Sequence, residues 1–129
     1  MSKRILCAAF LLAVVASTAF AASSFQNTCS GITFAYVNNQ AALQAVCLRA
    51  DGSSNPSTLI LQGIGNQNGT LVQGTGASTF QKSCGDIQIT AKDSSQVVLS
   101  ALCRTSGGSS HATSLQLNGI GNNNGSLTQ

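Results

Sequence analysis

The chain has 129 residues, with six Lys and Arg, three Asp and Glu and one His. So little charge leaves no electrostatic footprint for a nucleic-acid backbone. Three scattered acids, Asp51, Asp86 and Asp93, with His111 alone, assemble no carboxylate dyad, nucleophile–base pair or metal cluster, so no catalytic residue, metal or other cofactor is expected.

Lys3 and Arg4 precede the apolar run ILCAAFLLAVVA and then the small-residue pattern Ala19-Phe20-Ala21, the layout of a secretory signal peptide over residues 1–21. Its core of about a dozen residues is short of the ~20 that cross a bilayer, so an uncleaved anchor is the weaker reading. Lipidation on Cys7 is weaker still, because Cys7 precedes most of the apolar run. The expected product, 22–129, is exported: secreted and extracellular, or periplasmic in a bacterium. It keeps Arg49, Lys82, Lys92 and Arg104 against Asp51, Asp86 and Asp93, a net charge of +1. It also keeps an even four cysteines, Cys29, Cys47, Cys84 and Cys103, which in a small exported chain imply two disulfides that reinforce a thin core.

Along the chain, FQNTC at 25–29 is followed by ALQAVCLRA at 42–50, a short apolar stretch bounded by Ser and Gly that reads as a half-buried strand. A helix is its rival, since Ala, Leu and Gln are good helix formers. The cluster DGSSNPS marks a turn into STLILQ at 57–62, where Leu59 and Leu61 alternate with more polar neighbours at the strand period of two. GIGNQNGTL at 63–71 then breaks that strand at Gly-Ile-Gly, and Asn68-Gly69 supplies a strong hairpin signal before a strand starting near Leu71. VQGTGAS at 72–78 reads as a flexible hinge.

Everything then recurs. FQKSC at 80–84 matches FQNTC at an offset of 55, and after one inserted residue the offset becomes 56, with 16 identities between 43–73 and 99–129. VLSALCRT at 98–105, SGGSSHATS, TSLQLN at 113–118 and GIGNNNGSL at 119–127 repeat the strand, turn, strand and hairpin. Two copies, 23–73 and 78–129, are too few for a solenoid and make one pseudosymmetric domain over 22–129. Each copy holds two cysteines at equivalent places, so Cys29 is paired with Cys47 and Cys84 with Cys103. Pairing across the copies remains an alternative that interlocks the halves. The expected fold class is all-β.

Phe25–Cys29, Cys47–Arg49, Ser57–Leu61 and Ile64–Leu71, then Phe80–Cys84, Cys103–Thr105, Thr113–Leu117 and Ile120–Leu127, write one pattern twice: F-x-x-[TS]-C, C-x-[RT], [ST]-x-[IL]-x-L and [IV]-x-N-x-[DN]-G-x-L. In this the chain resembles the cyanovirin-N homology family of small lectins. The resemblance implies two lobes, each with a triple-stranded sheet and a hairpin, built by exchanging strands between the repeats. The lobes are expected at 22–62 plus 119–129 and at 63–118. It implies binding of mannose-rich glycans through one shallow pocket per lobe, without metal. The hinge at 72–78 admits a monomer or a domain-swapped dimer, the low charge leaves no nucleic-acid contact, and no second hydrophobic span is present to insert into a membrane.

Transferred residue by residue, the resemblance places one carbohydrate pocket on Asn66, Gln67, Asn68, Ser78, Thr79, Lys82, Ser83, Arg104, Thr105 and Ser106. It places a second, weaker pocket on Ser24, Asn27, Thr28, Leu48, Ala50, Asn122, Asn123 and Asn124. Gly65, Asn68 and Asn124 stand where well-known members carry acids, which removes charge-assisted hydrogen bonds. Leu48 and Ala50 replace common polar residues, so the Lys82 and Arg104 pocket is expected to be the better binder. The alternative is an exported interaction protein or effector on the same fold with lost or altered sugar specificity.

Plainer roles stand beside these. Asn-Gly turns need positive φ whatever the protein does. Asn68-Gly69-Thr70 and Asn124-Gly125-Ser126 match the N-glycosylation pattern, although a tight turn is a poor acceptor. His111 reads as an exposed loop residue, Phe25 and Phe80 as core, and Lys82 and Arg104 also fit a solvated surface.

Overall fold

A computed structural model describes residues 22–129; the expected signal peptide, 1–21, lies outside the described residues. The order is a 3₁₀ turn (Phe25–Asn27), β1 (Cys29–Val37), β2 (Gln40–Leu48), β3 (Ser54–Ile60), β4 (Gln62–Gln67) and β5 (Thr70–Ala77), then a second 3₁₀ turn (Phe80–Lys82), β6 (Cys84–Ala91), β7 (Val97–Arg104), β8 (Ser110–Leu117), β9 (Gly121–Asn123) and β10 (Ser126–Thr128). Four antiparallel sheets result: β1-β2-β3, β4-β5, β6-β7-β8 and β9-β10.

Both cysteine stretches are strands, not helices. In β7, Val97, Leu99, Ala101 and Cys103 are buried while the residues between them are more exposed, and Ala41, Leu43, Ala45 and Cys47 do the same in β2. Ala42 of β2 is buried as well, but from Leu43 to Cys47 the alternation has period two, and a helix would have spread these side chains around its axis. The disulfides join Cys29 to Cys47 and Cys84 to Cys103, facing residues of the β1–β2 and β6–β7 ladders. The copies are not cross-linked to each other.

The one-residue change in repeat offset lies in a turn. β1 and β2 are joined by Asn38 and Asn39, with φ of 51° and 66°, the conformation of a tight two-residue hairpin. β6 and β7 are joined by a longer turn in which the Asp93 carboxylate accepts from the Ser95 N–H at 2.9 Å and its hydroxyl at 3.0 Å.

The repeats exchange their ends. The β9–β10 hairpin of the second repeat lies on β3 of the first, with the Leu127 N–H donating to Ser57 Oγ at 2.9 Å. The β4–β5 hairpin of the first lies on β8 of the second, with the Leu71 N–H donating to Thr113 Oγ1 at 3.1 Å. Each lobe thus combines a triple-stranded sheet with a hairpin of the other repeat. One continuous core runs through both and includes Phe25, Leu43, Leu61, Phe80, Leu99, Leu117 and Ile120. Phe34 of β1 meets Phe80 edge to face with ring centres 6.0 Å apart.

Three sequence expectations need correction. Residues 72–78 are not a free hinge: 72–77 form part of β5, and Gln73 and Ala77 face Ile64 and Gln62 of β4. The first Gly-Ile-Gly does not end a strand; the break falls at Leu61, and Gly63 sits inside β4 where the register shifts. His111 belongs to strand β8, facing Cys103, instead of a loop.

Candidate functional site

The repeated Asn-x-Asn-Gly phrase forms two rigid corners. Asn66 Nδ2 donates to Ser83 Oγ at 2.9 Å and to the Arg104 carbonyl at 3.0 Å, while its Oδ1 accepts the Gly69 N–H at 2.8 Å. Asn122 repeats this with Thr28 Oγ1, the Leu48 carbonyl and the Gly125 N–H at 2.9, 2.9 and 2.7 Å. Both amide hydrogens of each side chain are therefore engaged, and only acceptor capacity on Oδ1 remains for a ligand.

Asn68 and Asn124 hold positive φ of 51° and 49° ahead of Gly69 and Gly125, both at 91°. A Cβ on Gly69 would lie 2.8 Å from Thr105 Cγ2, and one on Gly125 the same distance from Arg49 Cγ, so each turn packs closely on its neighbouring sheet. Asn68 Oδ1 accepts from the Ser106 N–H and hydroxyl at 2.9 and 3.0 Å, and Asn124 Oδ1 accepts the Ala50 N–H at 2.8 Å.

Beside each corner lies an open cavity, and the two are related by the internal repeat. One, of about 350 Å³, is lined by Lys82, Ser83, Cys84, Gly85, Asp86, Leu102, Arg104 and Ser110. The other, of about 240 Å³, is lined by Asn27, Thr28, Cys29, Ser30, Val46, Leu48 and Ser54, of which all seven have their repeat equivalents in the first. In both, the same backbone bond joins the cysteine strand to the 3₁₀ turn: the Arg104 N–H to the Ser83 carbonyl, and the Leu48 N–H to the Thr28 carbonyl, each 3.0 Å.

The structure thus brings Lys82, Ser83 and Arg104 to one cavity, with Asn66, Asn68 and Ser106 tied alongside and Thr105 under the turn. Gln67 is exposed at the end of β4. Thr79 is exposed, and its N–H donates to the Ile64 carbonyl at 2.9 Å. Ser78 is turned inward and only 7% exposed, donating to the Leu61 carbonyl at 2.7 Å and accepting the Ile64 N–H at 3.0 Å. It secures the crossover between β3 and β4 and offers nothing to solvent.

In the other half, Asn27, Thr28 and Leu48 share the second cavity, and Asn27 Nδ2 also donates to the Ser94 carbonyl at 3.1 Å. Ser24 donates its N–H to the Ile120 carbonyl at 2.9 Å. Asn123 is exposed, and Ala50 contributes only the backbone bond to Asn124.

Sequence reasoning counted Asp86 only as a scattered acid and gave it no place at a site; its equivalent is Gly31, and both adopt positive φ, 50° and 62°, at the bulge of their strand. It also missed Ser23, the fully buried counterpart of Ser78, which donates to the Leu117 carbonyl at 2.6 Å and accepts the Ile120 N–H. The offset of 55 relates both pairs and would have found them.

Two carboxyl groups titrate below their ordinary value of 3.8. For Asp51 the Ser53 hydroxyl is the main cause, followed by the Ser53 N–H; for Asp93 it is the Ser95 N–H, then its hydroxyl. Both close loops outside the cavities. Among the described residues no cluster of three or more His, Cys, Asp or Glu could hold a metal ion.

A family model described as the CVNH domain matches residues 19–128. The chain belongs to the CVNH family. Among solved CVNH structures, microvirin in complex with mannobiose is 32% identical, with a TM-score of 0.60 over 82% of this chain and 97% of that one. The CVNH protein of T. borchii is 30% identical, with a TM-score of 0.63 over 81% and 97%. A designed cyanovirin-N homolog lectin is 30% identical, with a TM-score of 0.61 over 81% and 97%. No curated protein matched. In this CVNH chain Gly65 lies next to Thr79, whose Oγ1 is 3.8 Å from where a Cβ would stand, and the acid that lines the larger cavity is Asp86.

Proposed function

We propose that this CVNH protein is an exported lectin, without catalysis or metal, that takes mannose-rich glycans chiefly at the cavity of Lys82, Ser83 and Arg104. The reading is carried by that cavity: about 350 Å³, open, and walled by hydroxyls, backbone groups and two cations beside the Asn66 corner. A neutral, hydroxyl-rich ligand needs such short donors and acceptors more than it needs net charge. The solved mannobiose complex of microvirin adds support from a relative. Asn66, Asn68, Thr79, Thr105, Ser106 and Gln67 would frame this site, and Asn27, Thr28, Leu48 and Asn122 the weaker one.

The test is a glycan array followed by calorimetry on purified 22–129. Binding to α-linked mannosides that weakens at least about tenfold in Arg104→Ala supports the reading; silence across mannose-rich glycans overturns it. Two observations favour a second reading, an interaction protein with altered specificity. The amide donors of Asn66 and Asn122 already serve the fold, and Leu48 is 46% exposed at the weaker cavity. Export is tested by sequencing the N-terminus of the secreted product, with Ala22 expected first. Light scattering distinguishes a monomer from a swapped dimer.

A further inference from the structure

The two cavities occupy equivalent places and differ in charge. Lys82 and Arg104 line the larger with Asp86 as its single acid. At the positions of Lys82 and Arg104 the smaller has Asn27 and Leu48, and none of its lining residues is charged. Because the same 3.0 Å backbone bond anchors both sites, the side chains make the difference.

Among the described residues these two cations differ from Arg49. Arg49 donates to Ser53 Oγ, the Ser54 carbonyl and Asn55 Oδ1 at 3.2, 3.2 and 2.8 Å. Among the described residues no comparable bond ties the side chain of Arg104 or Lys82, and Arg104 is engaged only through its backbone. Two of the four cations in 22–129 thus meet at one open cavity. A guanidinium presents a planar fork to a carboxylate, phosphate or sulfate, and an ammonium adds a point charge. Asp86 repels an anion from its own side and accepts hydroxyl hydrogens, which sets the direction in which a charged sugar enters.

We propose that the Lys82–Arg104 cavity binds an acidic saccharide, a sugar carrying phosphate, sulfate or carboxylate, with the anionic group between the two cations and hydroxyls toward Asp86 and Ser83. The proposal rests on the lectin reading above and narrows the ligand class of its stronger site.

Calorimetry on 22–129 would compare α1,2-mannobiose, the same disaccharide bearing a 6-phosphate, a mannuronate disaccharide and inorganic phosphate alone. The phosphorylated and uronate sugars are expected to bind about tenfold tighter than mannobiose at about 50 mM NaCl. That advantage should vanish near 500 mM, where screening is strong. Lys82→Asn with Arg104→Leu, which writes the other half's residues into this one, should abolish it. The reciprocal pair, Asn27→Lys with Leu48→Arg, should raise the acidic-sugar stoichiometry from one site to two.

Equal affinity for neutral and acidic disaccharides overturns the proposal and leaves the lectin reading standing. No binding of any sugar overturns both. Phosphate alone binding as tightly as the phosphorylated disaccharide shows an anion site that does not read sugar, and also overturns it. Should either double variant fail to fold, the salt dependence of the wild type decides on its own.

Discussion

Asn66 and Asn122 bind three groups each, and all three partners belong to the neighbouring turn or sheet. Removing such a side chain breaks three bonds at once, two of them partly buried at Asn66 and one at Asn122, and a stranded buried group costs more than its bond is worth net. Asn66→Ala and Asn122→Ala are each expected to lower stability by about 2 kcal/mol, read as a shift in the urea midpoint. Asn68→Ala loses exposed contacts to Ser106 and sets alanine at φ 51°, so it should lose about 1–2 kcal/mol. Loss of sugar binding in Asn66→Ala without loss of stability would show that the side chain serves the ligand instead of the corner. Asp51 and Asp93 add a pH dependence. Both titrate lower in the folded protein than their ordinary 3.8, so their contribution is present in full above that value and disappears as pH falls through the depressed folded value. Below about pH 3.8, unfolding monitored by circular dichroism should show declining stability, and Asp51→Asn with Asp93→Asn should flatten that decline. Both groups are fully exposed, so the effect is small.

At the scale of the element, the two cysteine strands show why composition alone misleads. Ala, Leu and Gln favour a helix locally, yet β7 throughout and β2 from Leu43 to Cys47 bury every second residue, and each strand sets its cysteine opposite the cysteine of the adjoining strand. Packing against a sheet outweighs a propensity difference of a few tenths of a kcal/mol per residue. Each disulfide closes a span of 18 or 19 residues, for which loop-closure entropy gives about 3 kcal/mol. Cys29→Ala with Cys47→Ala should lose roughly that much in urea unfolding. The equivalent pair at Cys84 and Cys103 should lose the same within error, because the closed loops differ by one residue. A large inequality would mean that the halves differ in denatured-state structure. β1 and β6 were not marked by local patterning because each is interrupted by a bulge, at Ser30–Thr33 and Gly85–Gln88, which breaks the alternation that would announce a strand.

For the whole molecule, the exchange of hairpins makes each lobe depend on both repeats. The last eleven residues, 119–129, carry Ile120 and Leu127 into the core and receive the buried Ser23 clasp. A chain ending at Asn118 is therefore expected to lose cooperative unfolding across the entire domain, seen as collapse of amide dispersion in NMR spectra; a folded 22–118 monomer would contradict this dependence. The repeat, the strand period, the cysteine pairing and the Asn-Gly turns were legible in the sequence, because each is written in local spacing or in identity between copies. Which side chains line the cavities was legible only in part: Lys82, Ser83, Arg104, Asn27, Thr28 and Leu48 do. Ser78 and Ser23 turn inward at the crossovers, Asn66 and Asn122 are consumed by their corners, and Asp86 enters the cavity from a bulge. These orientations follow mainly from contacts between residues far apart in the chain, up to 97 positions for Ser23 and Ile120. The sequence by itself determined the duplicated all-β plan, since hydrophobic period and turn chemistry act over a few residues. Only the tertiary structure decided which side chains line the two equivalent cavities and which are consumed by the fold, because that depends on long-range packing that brings distant residues to one surface.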